Sequence, residues 1–508
     1  MKLFNDYDLN ATRTENGAAA LKSTGNKCLD LFGFGGGAKT DADIQRAVSM
    51  FASAYNESKE TAMRMLFYFR DARGGQGRRA LFRAILVWLA NTHPNQVCAN
   101  LDNIMEYGRG DDLLCLLDTP IMASVTAWMY AKLRDDFAHM IKGESCSLLA
   151  KWMPSENASS KETRRYARKL IAAFSWTPRW YRQCLSALRA YLQIVEVYMS
   201  NGNWGAIDYS KVPGYATLKY TNAFNRHDML RHNKYLQDLA VGKFTAKANT
   251  LYPHDITTKV GKMTDVVVDA MWKALPNYFE GRDESILCMV DTSGSMSGEP
   301  YNVAVALGLY CASKNRGPFG GMFLTFAERP SIVTIDQSLP LSRQLRSINC
   351  INAGNTDIEA AFNLILQHAL KNHCKQEDLP TKLVILSDMQ FDEARGASGC
   401  WYRYTKPRQT FMDEMKENFE RNGYTMPSIV YWNLRDSRCG MYQATFDGEN
   451  CCMVSGYSAS LFDAVIKGTT YVEEVRSDGT RVMKQKLDPM EVMHNTLFGA
   501  RYDSVVVL

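Results

Sequence analysis

The sequence predicts a chain of two unlike parts, an all-α region followed by an α/β region with a mostly parallel sheet. Three observations predict it. Between residues 41 and 282, apolar residues recur at spacings of three and four, and runs of β-branched residues are scarce. After Arg282, short apolar runs alternate with helical segments. The 508 residues, 46% of them hydrophobic, are enough for a large core and favour two or more domains.

Residues 1–40 are rich in Gly, Asn and Thr and read as an irregular arm. Residues 41–282 read as helical repeats. Helical periods run through "DIQRAVSMFASAYN", "ETAMRMLFYFRDA", "RALFRAILVWLANT", "LDNIMEYG" and "DDLLCLLD", with further helices around 121–142, 161–174, 179–200, 221–241 and 262–278. No clean internal period joins them. Residues 283–508 supply six candidate strands, "SILCMVD", "GGMFLTF", "SIVTI", "KLVILSD", "SIVYWNL" and "NCCMVSG". Helical segments such as "NVAVALGLYCASK", "TDIEAAFNLILQHALK" and "TFMDEMKENFERN" separate them. Near the end, "TTYVEEVRSDGTRVMKQKL" reads as a hairpin turning at Asp478-Gly479.

Several function classes are disfavoured. The start, "MKLFNDYDLN", lacks the apolar stretch of a signal peptide, and no later run approaches the roughly 18 apolar residues of a membrane helix. A soluble, cytoplasmic protein without a membrane partner is expected. The thirteen cysteines are scattered, without a CxxC pair, and read as reduced core thiols. There is no HExxH, and His368, His373 and Cys374 do not share one helical face.

Charge is informative once divided. The net formal charge is +5, but residues 151–250 alone hold 16 Lys and Arg against 6 Asp and Glu. In "KETRRYARKL", Lys161, Arg164, Arg165, Arg168 and Lys169 fall within an arc of about 140° on a helix. Beyond Glu162 no unlike charge in the local sequence offsets them, so the stripe repels itself and suits a polyanion. Arg179, Arg182 and Arg189 follow, interleaved with Trp176, Trp180 and Tyr181, and Tyr166 lies within the stripe. Arginine forks suit phosphates and aromatic faces stack single-stranded bases. The competing reading is a solvated basic face over core aromatics.

The sharpest motif is "SILCMVDTSGSMSGEP", a buried strand that ends in Asp291 and is followed by Ser293 and Ser295. In a doubly wound sheet, ligands bind at the carboxyl ends of strands where the strand order reverses. Two later stretches supply matching donors, Thr356 and Asp357 in "NAGNTDIE" and Asp388 in "LVILSDMQFD". Oxygen donors with few full charges suit a hard divalent ion, Mg²⁺ or Mn²⁺. A phosphoryl-transfer loop would need a second acid where Ser293 stands. A hydrolase elbow would need Ser where Met296 stands. "GFGGGAKT", from Gly33 to Thr40, imitates a P-loop, but Ala38 replaces the glycine before Lys39 and no βαβ unit surrounds it.

Asp291-x-Ser293-x-Ser295, with Thr356 and Asp388 on later loops, resembles the metal-ion-dependent adhesion site of a von Willebrand factor A domain. The likeness covers about 220 residues, in the α/β (Rossmann-like) part. It implies that the serines and the threonine ligate the ion, that the aspartates act directly or through water, and that a partner's carboxylate completes the shell. In the first half, "ENGAAALKSTGNKCLDLF", "YFRDARGGQGRR", "YGRGDDLL", "KVPGYA", "FNRHDMLRHNKYL" and "LYPHDI" resemble an uncharacterised family of phages, large DNA viruses and plants that ends in an A domain. That family is similar in layout to the Ro (TROVE) proteins, whose HEAT-like helical ring binds noncoding RNA.

The resulting expectation is a non-catalytic, RNA-binding, Ro-like ribonucleoprotein scaffold. Lys161, Arg164, Arg165, Arg168, Lys169, Arg179 and Arg182 would face noncoding or single-stranded RNA. Asp291, Ser293, Ser295, Thr356 and Asp388 would hold Mg²⁺ or Mn²⁺ in a domain over 283–508 and present it to a protein carboxylate. The alternative is a metal-dependent protein-interaction or assembly module without a nucleic-acid role.

Overall fold

The computed structural model describes residues 10–13, 19–282, 285–326, 330–348, 358–390, 411–435, 442, 450–475 and 481–508. The chain divides into two compact units. Unit 1 comprises Met1–Glu57 with Leu251–Gly499, and unit 2 comprises Ser58–Thr250 with Ala500–Leu508.

Unit 1 opens with a short hairpin of β1 (Ala11–Arg13) and β2 (Ala19–Leu21). Its main sheet holds β3 (Ile286–Asp291), β4 (Met322–Phe326), β5 (Ser331–Thr334), β6 (Lys382–Ser387), β7 (Ser428–Asn433) and β8 (Cys451–Ser455). All six runs read as strands in the sequence lie in this one sheet, in the order β5-β4-β3-β6-β7-β8. Every pairing is parallel except that of β4 with β5. The three central strands β3, β6 and β7 are buried along their whole length. That is why they read as continuous apolar runs rather than as alternation.

Helices cover both faces. Ile358–Lys371 and Phe411–Arg421 pack on Leu287, Met289 and Ile385. Glu299–Lys314 packs on β3 and β4, and its Gly308 leaves no room for a Cβ, which would lie 2.5 Å from Val290. The terminal hairpin of β9 (Thr469–Val475) and β10 (Arg481–Leu487) is antiparallel as expected, and its turn at Asp478-Gly479 lies outside the described residues.

Two features differ from the sequence reading. Residues 1–40 are not uniformly irregular, because Lys27–Gly35 is a helix, capped by the Asn26 side chain accepting from Leu29 N. Its apolar residues are buried, and its end docks on β8. Gly36 N donates to Ser455 Oγ at 2.9 Å, and Ser455 Oγ donates to Phe32 O at 2.7 Å. A Cβ on Gly36 would lie 2.2 Å from the Ser455 carbonyl oxygen. Gly36 therefore serves close backbone packing against β8.

The second difference concerns boundaries. The composition changes at residue 282, but the units break at Glu57, Leu251 and Gly499. The helix Asp265–Lys273 belongs with the α/β part, since its Asp269 accepts from Leu341 N at 2.9 Å and its Asp265 from Ser342 Oγ at 3.0 Å.

Unit 2 is helical, with Lys59–Arg70, Arg79–Thr92, Leu101–Tyr107, Met122–Lys142, Lys161–Ala173, Pro178–Tyr191, Gly214–His227 and Met229–Ala240 as its longer helices. Phe67 contacts Phe82 and Tyr107 at ring separations of 5.8 and 5.4 Å. The glycines of "RDARGGQGRR" make the turn between the first two helices. A Cβ on Gly75 would lie 2.0 Å from Tyr68 O, and Gly77 has φ +62°. Among the described residues no helix is long and apolar enough to cross a membrane.

Candidate functional site

The strand order places one site by itself. From β3 the chain builds outward through β4 and β5, then returns to the other side of β3 and continues through β6, β7 and β8. The reversal lies between β3 and β6, so their carboxyl ends form the crevice where doubly wound sheets bind ligands. Asp291 ends β3, Ser387 ends β6, and Asp388 follows it directly.

The loop after β3 is held tightly. Asp291 is 0% exposed, Ser293 is buried and Ser295 is exposed. A single helical turn over Gly294–Met296 buries Met296 and anchors the loop between its two serines and the next helix. The Asp291 carboxylate accepts from Ser293 N at 2.9 Å and from Ser387 Oγ at 2.5 Å. Ser293 Oγ and Ser295 Oγ are 3.1 Å apart. Asp388, 2% exposed, accepts from Gln390 N at 3.2 Å, and Met389 between them has φ +64°, a costly left-handed conformation for a residue with a Cβ. Beyond β7, Arg435 donates to the Ser295 carbonyl oxygen.

The electrostatics match the geometry. Burial pushes the Asp291 carboxyl up to about 6, opposed by the donors on Ser387 and Ser293 and reinforced by the neighbouring Asp388. Burial likewise raises Asp388, opposed by the Ser295 hydroxyl, Gln390 N and the charge of Arg435. Two buried carboxylates are thus short of positive charge, while the oxygens around them are neutral hydroxyls. A hard divalent ion fits such an all-oxygen set of low charge. Among the described residues no cluster of three or more His, Cys, Asp or Glu side chains is placed to hold a metal ion, so any ion here relies on the serines.

Four of the five expected donors, Asp291, Ser293, Ser295 and Asp388, come together, and Thr356 lies outside the described residues. Ser387 escaped the sequence reading. It is the last residue of a buried strand, an ordinary place for a serine that carries no signal of its own.

The basic segment is arranged differently from the self-repelling stripe expected. Arg165 makes two hydrogen bonds to Asp118, at 2.9 and 2.8 Å, and Lys169 pairs with the same carboxylate. Those contacts hold Asp118 down to about 2. The compensating charge lies 47 residues away in sequence, on another element. Arg164 donates to Ala158 O and Ser159 O, Arg182 pairs with Glu156, and Arg189 donates to Ala150 O, Met153 O and Ser155 Oγ. Lys161, Arg168 and Arg179 remain exposed. Tyr181 is a core residue donating to Pro154 O, as the plainer reading had it. Trp180 is 45% exposed and Tyr130 39%, and both rings neighbour Trp176, at 6.4 and 5.8 Å.

The fold and site define a class, a multidomain chain with a helical region and a mostly parallel α/β sheet carrying an acid-and-hydroxyl crevice at its strand-order reversal. Two family models match it, both described as domains of unknown function, DUF2828 over residues 14–110 and 156–278 and DUF7788 over residues 285–497. The chain is 30% identical over 506 residues to the uncharacterized protein L728 of Acanthamoeba polyphaga mimivirus, covering 91% of this chain and 86% of that one. It belongs to the family of that viral protein.

Proposed function

We propose that the chain is a non-catalytic binding scaffold whose α/β unit works as a von Willebrand factor A-like domain, holding a divalent cation for an acidic partner. The observation that carries this reading is the meeting of Asp291, Ser293 and Ser295 with Asp388 between β3 and β6. These four residues would hold Mg²⁺ or Mn²⁺, and the likeness to A domains adds Thr356. When bound, the cation supplies a coordination position for a partner's carboxylate. Ser387 orients Asp291 by donating to it, and Arg435 fixes the serine loop through the Ser295 carbonyl. The Asp388 charge opposes ionisation of the buried Asp291, a cost that a bound cation would relieve.

For the helical unit we propose the Ro-like role, binding of noncoding or single-stranded RNA. The exposed Lys161, Arg168 and Arg179 and the partly exposed Trp180 and Tyr130 support it. A purely protein-binding module would share the metal site and lack this surface's role.

Calorimetric titration of the full chain with Mn²⁺ tests the site. Wild type is expected to bind a single ion, and Asp291→Ala and Asp388→Ala to abolish the heat while staying folded by circular dichroism. Absence of binding to wild type, or wild-type binding by folded Asp291→Ala, overturns the reading.

A further inference from the structure

Within unit 2 a cleft of about 1270 Å³ is lined by Arg70, Arg73, Arg109, Lys151, Trp152 and Glu106 among others. Three of its lining residues, Arg70, Arg109 and Asp111, belong to an unbalanced cluster of charge that also includes Asp112, Arg79 and Arg83. Asp112, 0% exposed, accepts from Arg70 Nε and Arg83 Nε, both at 2.7 Å. Asp111 pairs with Arg83 at 2.9 Å and with Arg79 at 3.6 Å. Both acids are thereby committed to three arginines. The fourth, Arg109, has no carboxylate within ion-pair distance among the described residues, and its guanidinium lies 4.8 Å from the Trp152 ring centre. Four guanidinium groups against two carboxylates leave two positive charges in excess.

The other acids along the cleft do not supply the balance, and Glu156 among them is paired with Arg182. Asp71 is bound by Arg501, Glu106 lies 3.7 Å from Arg73, and Glu196 lies 3.9 Å from Lys151. Arg70 itself is 4% exposed, and its Nη2 has no hydrogen-bond acceptor among the described residues. A buried donor left unpaired is costly and marks a place for a ligand or an ion. Burial lowers the Arg109 pKa and repulsion from Arg70 and Arg79 lowers it further, while the charges of Asp111 and Asp112 oppose the shift. Gly108 keeps the segment close, because a Cβ there would lie 2.7 Å from Asp112 Oδ2.

We propose that Arg70 and Arg109 form a binding site for a phosphate monoester, carried by a nucleotide or by the end of an oligonucleotide. The charge selects the ligand. A monoester carries about −1.5 to −2 at neutral pH, which matches the excess, whereas a backbone diester carries only one negative charge. Guanidinium forks suit its three oxygens. The site stands without the RNA-binding reading, because a free nucleotide satisfies it equally.

The test compares one short single-stranded oligonucleotide in 5′-phosphorylated and 5′-hydroxyl forms on the full chain at constant ionic strength, with inorganic phosphate and a nucleoside monophosphate as separate titrants. The phosphorylated form is expected to bind about tenfold more tightly, and Arg109→Gln to erase that difference. Saturable binding of the monophosphate or of inorganic phosphate, lost in Arg109→Gln, with no preference between the oligonucleotides, assigns the site to a small ligand. Equal affinity of the two oligonucleotides together with no binding of either small titrant overturns the proposal, even if Arg109→Gln fails to fold. Failure of the RNA reading shows differently, as no binding of either oligonucleotide while the monophosphate still binds.

Discussion

At the scale of single residues, the two acids of the crevice are legible in the sequence and their supports are not. Asp291 and Asp388 announce themselves because a carboxylate ending an apolar strand has few structural explanations. Ser387 gives no such signal, since a serine at a strand end is ordinary, and only the register of β3 against β6 brings its hydroxyl to Asp291. The same contrast holds in unit 2. Asp228, the residue before the helix Met229–Ala240, pairs with Arg231 one turn on at 2.9 Å, a contact that nearness in sequence makes easy. The neighbouring His232 hides its role. It is 0% exposed among Tyr209, Phe224 and Tyr235, its Nδ1 lies 2.5 Å from Asn225 Oδ1, and its Nε2 has no partner among the described residues. Burial lowers its pKa from 6.5, with Asp228 opposing. The folded state therefore binds this proton less readily than the unfolded chain. The stability it contributes is present above the unfolded value and is lost as pH falls through about 6.5, by at most about 1.4 kcal/mol per pH unit. Thermal melts at about pH 7.5 and about pH 5.5 should show a drop for wild type that His232→Phe reduces. An equal drop in both proteins would assign it to other groups.

At the scale of elements, legibility follows burial. The central strands are readable because a parallel strand covered on both faces is apolar throughout. The helix Lys27–Gly35 is not, because Gly33, Gly35 and the capping Gly36 weaken its local pattern and its stability comes from docking on β8. The basic stretch Lys161–Ala173 is a helix, as its periodicity predicts, but its charge is not the uncompensated stripe that the local sequence suggests, because Asp118 comes from elsewhere in the chain. That correction changes the experiment on RNA. Substituting Arg165 breaks the pairing with Asp118, and substituting Arg164 frees the carbonyls of Ala158 and Ser159, so weaker binding in either would report folding. Arg168 and Arg179 are exposed. If RNA lies along this face, Arg168→Glu with Arg179→Glu should lower the slope of log affinity against log salt by about one for each phosphate no longer neutralised. Unchanged slope and affinity would remove this surface from the function.

At the scale of the whole molecule, the chain enters unit 2 at Ser58, leaves it at Thr250 and returns at Ala500. No local pattern reveals this, because the hydrogen bonds that hold the returning segment span about four hundred residues of sequence. They are specific. Asn100 accepts from Val506 N at 3.0 Å and donates to Val506 O at 2.8 Å. Gln96 accepts from Leu508 N at 2.9 Å, Asn103 donates to Ser504 O at 2.8 Å, and Tyr107 donates to Arg501 O at 2.5 Å. Side chains on and between two short helices, Pro94–Cys98 and Leu101–Tyr107, thus read the backbone of a segment that begins as a single tight helical turn and ends as irregular chain. Arg501 completes it by pairing with Asp71, which is 1% exposed. Removing the segment leaves that carboxylate with its backbone donors from Arg73 and Gly74 but without its cation. Breaking a buried pair costs about 3–5 kcal/mol, and the low end applies here because those donors remain. Arg501→Ala, and more strongly a chain ending at Gly499, should therefore speed amide exchange in Lys59–Arg70 and Leu101–Tyr107 while β3 and β6 keep wild-type protection. Equal acceleration in both units, or none in the helices, would show that the returning segment does not stabilise unit 2 by itself.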